Sequence, residues 1–126
     1  MIPTPFKVAQ KQRNQVPKKF QHRLGAVIFN KHFCSQGHNS QKTHPIVAKY
    51  SGNPCKQTLH AEIDAILKCD PKKLKGATLY VYRESHGKPA LAKPCALCMK
   101  LIKVVGIKKV YYTKYESPGF DILIVK

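Results

Sequence analysis

The sequence predicts an α/β fold in which a central mixed β-sheet is covered by helices, and three observations carry this reading. Stretches rich in β-formers, "HRLGAVIF", "ATLYVYR" and "IKKVYYT", recur along the chain. Between them lie stretches with a helical apolar period, so the order reads β, β, α, β, α, β. Helices join the later strands whereas the first two are adjacent in sequence, a combination that places parallel and antiparallel pairs in one sheet. With 126 residues and 43% hydrophobic content, the chain is expected to form a single domain over 1–126.

Each element has a local reason. "FKVAQKQRNQ" forms a short basic helix stopped by Pro17, and "HRLGAVIF" and "KHFCSQGHN" form a hairpin turning at Asn30 and Lys31. Residues 40–57, "SQKTHPIVAKYSGNPCKQ", mix Ser, Gly, Asn and Pro between periodic segments and read as a loop. "LHAEIDAILKC" places Leu59, Ile63, Ile66 and Leu67 on one helical stripe, with Thr58 as its candidate cap and Pro71 beyond its end. "ATLYVYR" is the third strand, and the irregular "ESHGKPALAK" follows it. Pro94 can take the first helical position of "CALCMKLIKVVG", which Gly106 ends. "IKKVYYT" is a further strand, and "FDILIVK" a last strand or short helix.

Composition narrows the partners. The formal charge is +17, and residues 1–61 contain no Asp or Glu at all. Such a field attracts polyanions and anionic small molecules, so single-stranded nucleic acid joins the candidate partners through a basic surface. The longest aliphatic run, "ILIV", is too short to cross a bilayer, and "MIPTPFKVAQ" has prolines where a signal peptide would be apolar. A cytoplasmic protein with no membrane partner is expected. Five cysteines, an odd number, with Cys95 and Cys98 at metal-ligand spacing, argue against a disulfide framework and for a reducing compartment.

The chemistry-bearing residues begin with Glu62, the first carboxylate side chain in the chain, two positions after His60. "PCALC" sets Cys95 and Cys98 on one face of a helical first turn, where backbone amides and the helix dipole favour thiolates. By itself that pair could equally belong to a redox motif or half a zinc knuckle. Together with His60 it supplies three ligands, one fewer than a structural zinc takes from protein, whereas a catalytic zinc leaves the fourth position to water. Glu62 lies about 200° around an ideal helix from His60, which disfavours it as the fourth ligand. At the helix end it can instead carry protons beside the metal.

The spacing His-x-Glu followed by Pro-Cys-x-x-Cys is the pattern of zinc nucleobase deaminases. Through "HAEIDAI", "GATLYV", "PCALC" and "GIKKVYYT", residues 22–115 resemble the cytidine and deoxycytidylate deaminase superfamily. That resemblance implies a three-layer α/β/α fold of the cytidine deaminase type, with Zn2+ as cofactor. It implies zinc ligation by His60, Cys95 and Cys98 and general acid/base work by Glu62. It further implies substrate contacts from Asn39, from the backbone amides of Ala61 and Cys95, and from Tyr112 and Tyr115 in an aromatic loop beside the base.

The implied reaction is hydrolytic deamination of cytosine to uracil in a free nucleoside or nucleotide such as dCMP. Alternatives are the same chemistry on cytosine, with adenine ranking behind it, in single-stranded DNA or RNA, or a non-catalytic zinc-containing nucleic-acid-binding module. The last would have no use for Glu62. "ESHGKPALAK" is longer than the connection many relatives have before the Pro-Cys motif, and is expected to border the pocket. A second metal cluster from His32, Cys34, His38, His44 and Cys55 is disfavoured, because those residues lack a tight ligand pair. The reading also admits a homo-oligomer.

Overall fold

The computed structural model describes residues 4–13, 22–39, 60–85, 88–92, 94, 96–114 and 120–125. Helix α1 (Thr4–Arg13) precedes a hairpin of β1 (His22–Asn30) and β2 (His32–His38), whose tip is the single residue Lys31 at φ 65°. The expected turn is therefore tighter than two residues: Asn30 already pairs with His32, and its side-chain amide donates to the carbonyl of Lys73 at 2.9 Å. The 40–57 segment and Thr58 lie outside the described residues.

Helix α2 (Ala61–Lys68) follows, with His60 rather than Thr58 as its N-cap residue. Pro71 does more than stop this helix. Asp70 accepts a hydrogen bond from the Lys72 amide at 3.0 Å, Pro71 takes the first helical position, and a short unforeseen helix α3 (Pro71–Leu74) results.

Strand β3 (Thr78–Ser85) leads into a second unforeseen element, β4 (Lys88–Ala90), which folds back antiparallel on β3 with Arg83 opposite Ala90. Helix α4 is described from Ala96 to Val105, with Pro94 before it and outside the helical span. Gly106 at φ 89° ends it, in the left-handed conformation that glycine adopts at low strain. Strands β5 (Lys109–Thr113) and β6 (Phe120–Ile124) complete the sheet, so the "FDILIVK" segment is a strand.

The sheet order is β2-β1-β3-β5-β6, with β4 beside β3. Only β3 and β5 pair in parallel, as the α4 crossover between them requires, and every other described pair is antiparallel. The expected mixed sheet is thus present.

Alternation along the strands divides the core. Ala26, Ile28, Leu79, Val81, Val110 and Tyr112 join Ile63 and Ile66 of α2 and Leu101 and Ile102 of α4 in the main cluster. On the opposite face Val27 and Tyr82 pack with Ala9 of α1. The helices therefore cover both faces, in three layers. Towards β6 that second face carries Tyr80 stacked on Tyr111 at 4.8 Å, then Ile122 and Ile124 at 40% and 54% exposure. Among the described residues no helix is long and apolar enough to cross a membrane.

One close approach fixes α2 on the sheet. A Cβ at Gly37 of β2 would stand 2.7 Å from the Ala61 carbonyl oxygen and overlap the Ala65 amide nitrogen, both backbone atoms that cannot swing aside. Gly37→Ala should therefore destabilise the fold by about 2–3 kcal/mol, as overpacked cores do. Gly76→Ala meets no atom within 4 Å and carries only the strain of φ 80°, about 1 kcal/mol. Urea unfolding midpoints of the two variants measure the difference, and equal midpoints would contradict the close contact.

Candidate functional site

Two helix starts converge at the candidate site. His60 is extended at φ −76° and ψ 152°, and its Nδ1 lies 3.2 Å from Sγ of Cys98. Cys98 sits in the first turn of α4 and is fully buried. Glu62 is only 3% exposed although it belongs to the first turn of α2. A carboxylate and a thiol each near a helix N-terminus experience the positive end of that helix's dipole. His60 itself makes no side-chain cap bond to its own helix.

The segment ahead of α4 is pinned. Arg83 donates from its guanidinium to the Leu91 carbonyl at 3.1 Å, and the Ala92 amide donates to the Thr113 carbonyl at 2.9 Å. The Thr113 hydroxyl in turn accepts from the Arg83 amide at 3.1 Å. With β4 these bonds hold the described residues 88–92 against β3, ahead of buried Pro94 and α4. The irregular segment is thus a positioning device for the Cys-x-x-Cys helix.

The other expected residues fall differently. Cys95 and Tyr115 lie outside the described residues. Ala61 is wholly buried and opens α2, so its amide is among those an α-helix leaves unused at its start. Asn39 follows β2, and its Oδ1 accepts from the Leu24 amide at 2.7 Å while its own amide donates to the Leu24 carbonyl at 3.3 Å. It thereby extends the hairpin ladder by one residue. Tyr112 stands within β5 rather than in the loop after it, buried in the main cluster. Burial, and secondarily the Asp121 carboxylate, pushes its hydroxyl above the ordinary tyrosine range.

Asp64 was not singled out by sequence, yet it anchors the site from behind. Its Oδ2 accepts from the His38 amide at 3.1 Å and from Lys68 at 3.0 Å, tying α2 to the end of β2 next to Asn39. Its signal was available: a second acid two positions after Glu62, on a helix that buries both.

An imidazole nitrogen and a thiol at 3.2 Å suit a zinc ion. Typical Zn–N and Zn–S bonds place two such donors about 3.6 Å apart on a tetrahedron, a few tenths of an ångström away. Among the described residues alone, no set of three His, Cys, Asp or Glu side chains forms a metal site. A third ligand would have to come from elsewhere, and Cys95 is the neighbour of the described helix.

The fold and the approach of His60 to Cys98 agree with the class of zinc-dependent nucleobase deaminase domains. Residues 4–114 match the family described as the cytidine and deoxycytidylate deaminase zinc-binding region, and the chain belongs to that family. A deoxycytidylate deaminase of Mycobacterium phage D29 is 42% identical over 71 residues, or 56% of this chain. The match spans about half of that relative, 48%. The apo dCMP deaminase of cyanophage S-TIM5 superposes with a TM-score of 0.62 at 25% identity, covering 90% of this chain and 86% of that one. A cytidine deaminase of Mycobacterium tuberculosis shares the fold at 17% identity, with a TM-score of 0.50 over 90% and 88% of the two chains.

The capping role of Asn39 can be tested. Asn39→Ala should lose about 1 kcal/mol, the net worth of its bond to Leu24. Asn39→Asp keeps the acceptor and should unfold within a few tenths of a kcal/mol of the wild type. Thermal or urea unfolding of the two variants checks this, and equal losses would remove the capping role.

Proposed function

We propose that this protein is a zinc-dependent hydrolase that deaminates cytosine to uracil in a free deoxycytidine or cytidine nucleotide, dCMP foremost. The observation that carries the proposal is the pairing of His60 and Cys98 at two convergent helix starts, with Glu62 buried one position inside the first of them. Likeness to a phage deoxycytidylate deaminase and to a dCMP deaminase structure supports the nucleotide as substrate. In this reading His60, Cys95 and Cys98 hold the metal.

Zinc, when bound, would supply Lewis acidity sufficient to bring the pKa of a water near neutrality. Glu62 takes a proton from the water that attacks the amine-bearing carbon and passes it to the adjacent ring nitrogen. It then carries the second proton to the amine, which departs as ammonia, so cytosine and water become uracil and ammonia. The Ala61 amide and the Asn39 side chain orient the base and sugar, and Tyr115 closes the aromatic side. Burial of Glu62 keeps bulk water from competing for its proton.

A second reading concerns the basic surface. Lys31, Lys72, Lys73, Lys75, Lys103, Lys108 and Lys109 are exposed and gather at the sheet end where α3 meets the turn after α4, marked by the bond from the Gly76 amide to the Gly106 carbonyl. This end lies one helix length from His60 and Cys98, about 12–15 Å. Among the described residues Asp70 is the carboxylate that accompanies it. The layout supports single-stranded nucleic acid as a non-catalytic partner held by point charges. An odd number of cysteines, with Cys95 and Cys98 at metal-ligand spacing, supports a reducing, cytoplasmic setting.

Purified protein should contain one zinc per chain by elemental analysis and release ammonia from dCMP. Glu62→Ala should retain the metal while turnover falls by about 10²–10⁴-fold, and Cys98→Ala should lose both. Near-normal turnover by Glu62→Ala would sink the mechanism. Binding to a cytosine-free oligonucleotide should weaken steeply between low and high salt. Salt-insensitive binding, or none, would leave the lysines a solvated face.

A further inference from the structure

The hairpin tip starts a row of side chains that the site above does not use. Along β1 and β2 Ile28 pairs with Ser35 but Phe29 pairs with Phe33, so Cys34 is the extra residue of a β-bulge. The Phe29 and Phe33 rings meet edge to face, with centroids 5.3 Å apart and planes at 79°. Through the neighbouring strands the row continues from Phe29 to Thr78, then to Lys109, then to Ile124. Paired residues share a sheet face, and this row alternates with Ile28, Leu79 and Val110 of the main cluster, so it lies on the opposite face. Helix α1 covers that face further along, at Val27 and Tyr82. At this end Phe33 is 45% exposed, and Lys109 and Ile124 are exposed with it.

The row runs beside the lysines. Lys31 and His32 stand exposed at the tip, next to Phe33 in sequence. The Asn30 side-chain amide donates to the carbonyls of Lys73 at 2.9 Å and Lys75 at 3.4 Å, which seats α3 and its lysines against the tip. The Lys108 amide donates to the Ala77 carbonyl at 3.0 Å, so Lys108 and Lys109 reach the same end. Among the described residues no carboxylate belongs to the row. Exposed rings interleaved with ammonium groups suit a single strand, whose phosphates go to the cations and whose bases go to the rings.

We propose that Phe33, backed by Phe29, is a base-stacking site for single-stranded nucleic acid, with Lys31, Lys73, Lys75 and Lys109 holding phosphates around it. The proposal rests on the reading of the lysine surface given above and adds a contact that does not depend on charge. Packing on Phe29 holds the Phe33 ring before a strand arrives, so less side-chain freedom is lost on binding. Every base has a π-face, so the contact tolerates any sequence. In a duplex those faces already stack on one another, so the site selects single strands.

The experiment titrates the full chain, purified with zinc, against a labelled oligothymidylate and against a strand of equal length and charge whose sugars lack bases, each over a salt series. The wild type should bind the oligothymidylate about tenfold more tightly than the abasic strand. Both affinities should fall with the same steep salt dependence. Phe33→Ala should bring the two affinities together without changing the slope, whereas Phe33→Tyr, which keeps a ring, should preserve the gap. Phe33→Leu keeps apolar bulk against Phe29 without a ring and should also close the gap, so it serves where Phe33→Ala folds poorly. Lys109→Gln should lower the salt slope for both strands and leave their ratio unchanged. Equal wild-type affinities with a steep salt slope, or a gap that survives in Phe33→Ala and Phe33→Leu, would overturn the stacking site and leave the lysine reading standing. Salt-insensitive binding, or none, would remove both.

Discussion

The missing side chain at Gly37 decides where α2 lies, and the candidate site inherits its geometry from that. With backbone against backbone at Ala61 and Ala65, the helix can sit directly on β2, and Asp64 locks it there through the His38 amide. The N-terminus of α2 is then fixed in height, so His60 projects from a rigid start towards Cys98 rather than from a mobile loop. A side chain at Gly37 would push α2 outward and separate the two donors. Their 3.2 Å contact therefore rests on a glycine that touches neither of them in sequence.

The second support comes from the other direction along the chain. Arg83 and Thr113 sit on the two parallel strands, and between them they hold Leu91 and Ala92, adjacent residues of the segment that leads into α4. Parallel pairing matters here because it brings the C-terminal ends of β3 and β5 side by side, at the edge where α4 begins. This is where open α/β sheets place their ligand sites. The hairpin half of the molecule positions His60 and Glu62, and the parallel half positions Cys98.

Much of this was legible in the sequence. The long elements declared themselves through periodicity, and a spacing with a chemical reason singled out His60, Glu62, Cys95 and Cys98, of which the structure brings His60 and Cys98 together. What escaped was short or set by distant contacts. Helix α3 has four residues, too few for a period, although Asp70 and Pro71 are a sound local start signal. Strand β4 has three residues with Pro89 in the middle, a pattern that argues against a strand and is tolerated because, among the described residues, β4 is an edge strand paired with β3. Nothing near Gly37 or Cys34 in sequence announces the helix contact or the bulge, since both arise from residues far along the chain. Asn39 illustrates the reverse case: sequence suggested a substrate contact for it, and the structure shows its side-chain oxygen accepting from the Leu24 amide at the end of the hairpin.

The edge strand β6 gives the charge a further meaning. Ile122 and Ile124 stand exposed on a strand that is the sheet margin among the described residues, the kind of surface along which strands of separate molecules can zip together. Two molecules each carrying +17 repel before those margins meet. That repulsion reaches roughly 8 Å at physiological ionic strength and about 3 Å in molar salt. Colloidal stability is thus borrowed from the lysines, and concentrated salt or a stoichiometric polyanion withdraws it without altering a single contact inside the fold.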